Sequence, residues 1–284
     1  MPLIVVTAPT AEPLDLIEAK AHLRVDIADD DLLIQSMLSA ARDYAENFTQ
    51  KQFVAARLKQ VMDAFPAGCA DYGSTGGSYS RPGNAIYLER SPVVRVVSIQ
   101  YLDQQQVTQT VDPTTYVVDY SSDPVRITPV FGQIWPIPIP QIASVWVIFD
   151  AGYAAPITID TVANTVAVTG WPALAVNAAV RFSASGGGLP ARLQTQTDYY
   201  VQAVISAGVY TLATTPGGAV IDIQDKGLGT SYIGVVPEGI KGWLKIRLGA
   251  LYENREEEVI ASRITVASLS FVDRMLDGYK TYRF

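Results

Sequence analysis

The sequence predicts an α+β protein with a helical core, made of two N-terminal helices and a C-terminal helix, a β-strand region and an inserted all-β domain. Apolar residues recur at helical spacing after residue 14 and again after Pro237. Short runs rich in Val, Ile, Tyr and Thr lie between them, separated by turn residues. Residues 156–235 contain only seven charged side chains. We therefore predict a split core, 1–155 and 236–284, interrupted by a small sandwich or barrel over 156–235.

The N-terminal segment encodes two helices joined by a sharp turn. Asp15 has the position of an N-cap and Glu18 that of a capping-box glutamate, which predicts a first helix from about Leu16 to Arg24. The aspartates at 29–31 offer the next N-cap. The second helix has a predicted buried stripe and a polar face: Leu33, Met37, Ala40 or Ala41, Tyr44 and Phe48 on the stripe, and Gln35, Ser39, Arg42, Asp43 and Glu46 on the polar face.

The central part of the chain predicts a sheet of short strands. Residues 53–65 fit either a helical turn or a strand, and we favour a strand because β-like sequence follows. Residues 66–84 are rich in Gly and Ser, which is typical of a loop, and no Lys-Ser/Thr pair follows that would favour phosphate binding. The Pro-rich run at 135–140 indicates a stiff connector. Five strands are predicted, at 85–90, 93–102, 115–120, 125–130 and 144–149.

The C-terminal part predicts a third helix and an aromatic tail. Pro237 suits the first helical position, and the buried stripe is Ile240, Trp243, Leu244, Leu248, Leu251 and Tyr252. Gly242 and Gly249 share a face, which either permits close approach of another backbone or is tolerated by the surrounding packing. The last six residues combine aromatic rings with cations, and they either dock on a partner or fold back on their own domain.

The composition argues against tight nucleic-acid binding, disulfide crosslinks and membrane insertion. The net charge is −7 and the pI is about 4.8, with no Lys/Arg run for phosphate contacts. The single cysteine, Cys69, leaves no partner for an intrachain disulfide. No apolar run approaches the roughly 20 residues of a membrane span, and the N-terminus lacks signal-peptide features. We therefore expect a soluble protein without a signal peptide.

Patterns that would indicate catalysis or metal binding are weak. His22 is the only histidine, so a catalytic triad or a two-histidine metal site would depend on this one residue. Cys69 has no base nearby in sequence. The aspartates at 29–31 lack the ligand spacing of a calcium loop, and the glutamates at 256–258 are interpreted as a solvated helix end that could meet a partner, Arg255 or Arg263. We expect no enzyme activity, no cofactor and no metal.

Two separated stretches resemble the head-tail connector (adaptor) family of tailed bacteriophages, the HK97-type connector and phiE125 gp8-like group. The first is LDLIEAKAHLRVDIADDDLLIQSMLSAARDYAENFTQKQF, residues 14–53. The second comprises IWP, VWVIFDAGYA and VPEGIKGWLKIRLGALYENREE. Together they span the chain outside residues 156–235, a module that many members of the family lack.

The resemblance implies a virion structural protein of a phage, prophage or phage-like particle. It would form a homo-oligomeric ring, a dodecamer, beneath the portal, joining the capsid to the tail and lining the DNA conduit. Its partners would be other copies of itself, the portal protein, and the next connector, stopper or tail-terminator protein. Genomic DNA would pass through without sequence-specific binding, no membrane would be involved, and the protein would be made in the host bacterial cytoplasm and located in the virion neck. A net-negative chain suits such a conduit, because tight phosphate contacts would slow the DNA, so we expect an acidic lumen.

Two sets of residues are candidates for assembly contacts. The candidate subunit-interface residues are Arg42, Asp43, Glu46, Gly242, Gly249 and Arg255, and charge reversal at Arg42 is expected to impair ring assembly more than folding. The candidate portal-docking tail is Tyr279, Lys280, Tyr282, Arg283 and Phe284.

An alternative function is a carbohydrate- or receptor-binding β module of a virion protein. The 15 tyrosines and 4 tryptophans favour it, since aromatic rings on β scaffolds often stack on sugars. The paired helices argue against it, because such a module does not need them.

Overall fold

The computed structural model describes residues 2–66, 83–254, 272 and 274–281. Three α-helices and fifteen β-strands lie within these residues, which confirms the predicted α+β class. By contacts, the chain divides into two compact units. The sheet unit comprises Met1–Ala8, Ala56–Gly152 and Thr281–Phe284, and the helix-barrel unit comprises Pro9–Ala55 and Tyr153–Lys280. The helices thus share a unit with residues 156–235, and the division into a split core and an inserted domain remains a prediction.

The sheet unit contains two antiparallel sheets. Its strands are β1 (Leu3–Thr7), β2 (Ala56–Met62), β3 (Ile86–Tyr87), β4 (Val93–Leu102), β5 (Thr108–Thr110), β6 (Tyr116–Asp119), β7 (Arg126–Pro129) and β8 (Val145–Ala151). One sheet has the order β1-β2-β8-β4-β5 and the other β3-β7-β6. The strand favoured at 53–65 and the five predicted later strands are confirmed. The short strand β5 was not predicted, because its Thr-Gln-Thr sequence is exposed and lacks apolar alternation.

The five-stranded sheet packs one face against a hydrophobic core, and on its other face it holds the buried carboxylate of Asp150 between two arginines. Leu58, Val147 and Phe149 alternate into a shared core at no more than 1% exposure. Asp150 is fully buried on the opposite face, where its carboxylate accepts hydrogen bonds from Arg57 at 2.8 and 3.1 Å and from Arg95 at 2.6 Å. Two arginines on the flanking strands therefore compensate the burial of this charge.

The helices are α1 (Leu16–Leu23), α2 (Asp31–Thr49) and α3 (Glu238–Glu253). Asp15 caps α1 as predicted, since its carboxylate accepts a hydrogen bond from the Ile17 amide at 2.8 Å. The predicted capping box is wrong: the Asp15 amide donates to Ser185 Oγ at 2.7 Å instead of to Glu18. A residue 170 positions away thus takes the role that the local motif assigned to Glu18.

Asp30 occupies the N-cap position of α2 that was predicted within the 29–31 run, but its carboxylate makes no capping hydrogen bond. The Asp30 carboxylate accepts a hydrogen bond from the Tyr252 hydroxyl at 2.5 Å, and Asp31 pairs with Lys20 at 2.6 Å. The run thus supplies the N-cap residue, while its carboxylates connect α2 to α3 and to α1. These contacts also place the start of α2 beside the end of α3.

The buried face of α2 lies one residue away from the predicted stripe. Ile34, Leu38, Ala41 and Ala45 are at most 2% exposed, whereas Tyr44 is 50% exposed. The two alanines lie in one cluster with residues of α3, and small side chains allow two helices to approach closely. The predicted α3 stripe is confirmed at Ile240, Trp243, Leu244 and Leu248, each fully buried.

The β part of the helix-barrel unit closes on itself. Its strands are β9 (Ala154–Asp160), β10 (Thr165–Val168), β11 (Ala179–Val180), β12 (Phe182–Ser185), β13 (Tyr199–Ser206), β14 (Val209–Ala213) and β15 (Thr230–Gly234), in the order β11-β13-β14-β10-β9-β15-β12. The two end strands are consecutive in the chain, separated by Arg181 alone, so the sheet forms a barrel. Its interior is filled by side chains that include Phe182, Val201, Tyr210, Leu212 and Ile223.

Candidate functional site: the helix pair and its contacts

A polar cluster connects α2 to the segments around it. Arg42 donates to Glu12 at 2.7 Å and to Glu46 at 3.2 Å, and its side chain is only 11% exposed. Glu46 is itself buried, and its other oxygen accepts from the Gln52 side chain at 2.9 Å and the Phe53 amide at 2.8 Å. The cluster therefore stabilises the entry and exit of α2 within one chain.

The location of this cluster changes the expectation for the predicted polar interface. Arg42 and Glu46 make their contacts inside the chain, so charge reversal at Arg42 would disturb folding before assembly. Asp43 is different, because its side chain is 63% exposed although it lies 3.2 Å from Arg42. The assignment of these three residues to a subunit contact remains a prediction, and Asp43 is the one that offers a surface. Arg255 lies outside the described residues.

The glycine face of α3 contacts other parts of the same chain. A Cβ placed on Gly242 would lie 3.6 Å from Met275, and one on Gly249 would lie 3.7 Å from His22, both ordinary packing distances. Gly239, which the sequence did not single out, is much tighter, because its Cβ would lie 2.6 Å from the Tyr279 hydroxyl. This face therefore receives the C-terminal segment at one end and α1 at the other, and its role between subunits remains a prediction.

Three Gly→Ala substitutions in α3 are expected to distinguish two effects on the free energy of unfolding, namely the higher helix propensity of alanine and a steric clash at a close contact. Gly242→Ala and Gly249→Ala should each raise the free energy of unfolding by up to about 1 kcal/mol, because alanine favours helix and both sites have room. Gly239→Ala should lower it by about 1 kcal/mol, because Tyr279 must move from its packed position. Urea unfolding followed by circular dichroism measures both. A Gly239→Ala variant as stable as the Gly242→Ala variant would contradict the tight contact.

The C-terminal segment packs on the helices over the part that the structure describes. Leu276 is 1% exposed in the cluster around Trp243, and Tyr279 packs against the same cluster. Lys280 Nζ lies 4.3 Å from the ring centroid of Phe48. Tyr282, Arg283 and Phe284 lie outside the described residues. Tyr279 and Lys280 thus fold back on their own unit, as one of the two alternatives predicted. Docking of the tail on a portal remains a prediction.

An aromatic stack marks the surface between α2 and α3. The ring of Tyr44 stacks on Phe48 at 6.2 Å and on Trp243 at 5.8 Å, measured between ring centroids. The guanidinium of Arg247 lies 5.9 Å from the centre of the Tyr44 ring. A half-exposed tyrosine beside an exposed arginine has the composition of a binding hot spot. This surface was not predicted from the sequence, because the apolar spacing of α2 places Tyr44 on the buried stripe.

A second polar cluster attaches α1 to the barrel. The Glu18 carboxylate accepts from Ser185 Oγ and pairs with Lys245 at 2.6 Å. Thr230 donates to the Asp15 carboxylate at 2.6 Å. Burial alone would raise the pKa of Glu18, but the hydrogen bonds from Lys245 and Ser185 outweigh it, and the pKa lies below its ordinary value of 4.5.

The lowered pKa of Glu18 predicts a loss of stability in acid. The ionised carboxylate contributes fully above pH 4.5, and its contribution disappears as the pH falls through the lower pKa of the folded protein. Glu18→Gln should lower the free energy of unfolding by about 1–2 kcal/mol near neutral pH and flatten its decline below that value. Urea unfolding at a series of pH values measures both effects. Equal slopes for the two proteins in acid would contradict this role of Glu18.

The described residues offer no group of three or more His, Cys, Asp or Glu that could hold a metal ion. His22 lies on α1 near Gly249, as expected of a helix surface residue. Cys69 and the glutamates at 256–258 lie outside the described residues. Among the helices that the structure describes, none combines the length and apolar character that a membrane span requires.

Comparisons relate part of this chain to a connector family and its fold to chains of gene transfer agent particles. Residues 13–105 match the family model described as Phage gp6-like head-tail connector protein. Over 100% of this chain and 97% of the other, the fold resembles a chain in the virion of a native gene transfer agent (GTA) particle, with TM-score 0.57 and 16% identity. A chain in the neck of the empty GTA particle, computed with C6 symmetry, gives 0.55 and 15%. A chain in the neck of the native particle, computed with C12 symmetry, gives 0.51 and 15%, both with the same coverage.

No curated protein matches the chain. Because the solved structures are only 15–16% identical to this chain, they show a likeness of fold alone. The family model matches the sequence of α1, α2 and the strands that follow. The resemblance to tailed-phage connectors that the sequence predicts is thus confirmed: residues 13–105 match the Phage gp6-like head-tail connector model, and the whole chain shares its fold with chains in GTA neck structures.

Proposed function

We propose that the protein is a structural head-tail adaptor of a phage or phage-like particle, which forms a ring beneath the portal and joins the capsid to the tail. The observation that supports this function most directly is the connector match over residues 13–105 within a chain that shares its fold end to end with GTA neck proteins. The C6 and C12 symmetries of those necks support a ring of twelve copies. A structural role agrees with the helix pair, whose polar groups bind one another in place of forming a catalytic cluster.

The carbohydrate-binding alternative gains no support from the barrel. Three of the four tyrosines in residues 156–235, at 199, 210 and 232, are each at most 3% exposed, while Tyr200 and Trp171 are partly buried. The large apolar side chains that residues 156–235 do expose are aliphatic, namely Val162, Val176, Val204, Ile205, Val220, Leu228 and Val235. Sugar stacking needs an accessible aromatic face, and most of the rings that favoured this function serve the barrel core instead.

The test is assembly on a portal ring. The purified chain, alone and mixed with the portal protein of the same particle, is examined by size-exclusion chromatography and negative-stain microscopy. We expect twelvefold rings on the portal, and a chain that never joins a portal ring would overturn the proposal. The expected acidic lumen is checked in the same assembly, where a continuous Lys/Arg lining would contradict it.

The tail proposal has its own test in the same assay. Ending the chain after Asp277 removes the last seven residues, among them Tyr279, Lys280 and the four residues beyond Lys280, but keeps the buried Leu276. We expect weaker portal docking with the fold retained, measured as the fraction of portal rings that carry adaptor. If the truncated chain docks as well as the full chain, the tail is not the portal contact, and the loop at 66–84 becomes the candidate.

A further inference from the structure

One surface of the helix pair is aromatic and cationic. We call it the aromatic patch and define it by Tyr44, Phe48, Arg247 and Lys280. Tyr44 is 50% exposed, Arg247 is exposed beside its ring, and Lys280 lies over Phe48. Trp243 supports the patch from the buried side. A rigid aromatic surface with cations at its edge fits a partner that presents apolar side chains and carboxylates.

A second surface of the same unit has those properties. We call it the acidic corner and define it by Asp26, Ile27, Asp29 and Leu32, at the turn from α1 to α2. Ile27 is 60% exposed and Leu32 80%, and both aspartates are exposed. Arg24 is also exposed nearby, which leaves one net negative charge among the exposed side chains of residues 24–32. The corner is thus a pair of apolar side chains with an acidic border.

The two surfaces lie apart on one molecule. Leu32 and Tyr44 are twelve residues apart on α2, which is about 18 Å along the helix axis and about 120° around it. They therefore form separate surfaces and not one. A cyclic ring requires this arrangement, because each copy presents one surface to the neighbour on one side and a different surface to the other.

The charges favour contact between unlike surfaces. Two aromatic patches facing each other would bring Arg247 and Lys280 of one copy toward those of the other, and like charges in contact are unfavourable. Contact between a patch and a corner instead brings Arg247 toward Asp26 or Asp29. It also removes Ile27 and Leu32 from water against an aromatic surface.

We propose that the acidic corner of one copy docks on the aromatic patch of the next copy around the ring. The partner is a second copy of this chain, and the contact is heterologous. The inference rests on the proposed ring function and names the surfaces that build the ring. It differs from the interface that the sequence suggested, because Arg42 and Glu46 lie inside the chain and Gly242 and Gly249 contact the same chain.

Crosslinking between single-cysteine variants tests the contact directly. In a Cys69→Ser background, Leu32→Cys and Arg247→Cys are placed in separate chains, which are mixed on portal rings and oxidised. We expect a disulfide-linked dimer in the mixture and much less with either variant alone. Val162→Cys, at a barrel residue that is 93% exposed, replaces Leu32→Cys as the control and should give no dimer with Arg247→Cys.

A charge exchange provides the second measurement. Arg247→Glu and Asp29→Arg should each reduce ring occupancy on the portal at least several-fold, and the double variant should recover most of it. Lys226→Glu, an exposed barrel residue, should have little effect. Rings that assemble without crosslinks, and with no recovery in the double variant, would overturn this interface and leave the adaptor function standing. A chain that forms no ring with the unsubstituted sequence would overturn both.

Discussion

Replacing Glu46 by alanine is expected to lower the free energy of unfolding by about 3–5 kcal/mol. Its carboxylate accepts hydrogen bonds from Arg42, Gln52 and the amide of Phe53. Alanine would leave the amide of a fully buried phenylalanine without its acceptor and remove one carboxylate partner from a mostly buried guanidinium. Urea unfolding at neutral pH measures the change.

Two matched variants serve as controls for Glu46→Ala. Glu46→Gln keeps an acceptor for the Phe53 amide but loses the charge that faces Arg42, so its cost should be about half as large. Asp43→Ala removes the exposed partner of Arg42 and should cost less than about 1 kcal/mol. A Glu46→Ala variant no less stable than Asp43→Ala would show that the buried cluster contributes little.

Replacing Trp243 by alanine is expected to cost about 3–5 kcal/mol, because Trp243 is the largest of the fully buried side chains and fills the space between α2, α3 and the C-terminal segment. Trp243→Phe should cost less than about 2 kcal/mol. The indole Nε1 has no hydrogen-bond partner within the described residues, so phenylalanine loses packing but no such bond there.

Thermal and urea unfolding of the two Trp243 variants make the comparison, with Tyr44→Ala as the control from the exposed side of the stack. Tyr44 is half exposed, so its truncation should cost roughly 1 kcal/mol while weakening ring assembly through the aromatic patch. A phenylalanine variant as unstable as the alanine variant would mean that the indole nitrogen does make a stabilising contact.

The candidate site was predictable in part. The three helices follow from apolar spacing, and the α3 stripe is confirmed because Trp243, Leu244 and Leu248 allow only one buried face. The α2 face was misplaced by one residue, since its sequence has apolar side chains on neighbouring positions and the partner helix selects among them. Glu46 was assigned to the surface because it is charged. The i,i+4 spacing of Arg42 and Glu46 is a signal that could have indicated an ion pair.

Other contacts had no local signal. Ser185 accepts from the Asp15 amide across 170 residues, and Tyr252 donates to Asp30 across 222. A capping motif is defined by residues close in sequence, so it predicted a hydrogen bond from the Asp15 amide to Glu18 and could not indicate Ser185. The exposure of Ile27 and Leu32, on which the acidic corner depends, likewise follows from what the rest of the chain leaves uncovered.

The sequence by itself determined the types of element, the low charge of residues 156–235 and the likeness to head-tail connectors, because periodicity, composition and motif order are properties of adjacent residues. Only the tertiary structure decided which face of α2 is buried and how the barrel closes through β11 and β12. It also decided that Arg42 and Glu46 lie inside the chain while Tyr44 and Arg247 form a surface. The physical reason is that burial and hydrogen-bond partners are set by segments far apart in sequence, which compete for the same side chains once the chain is folded.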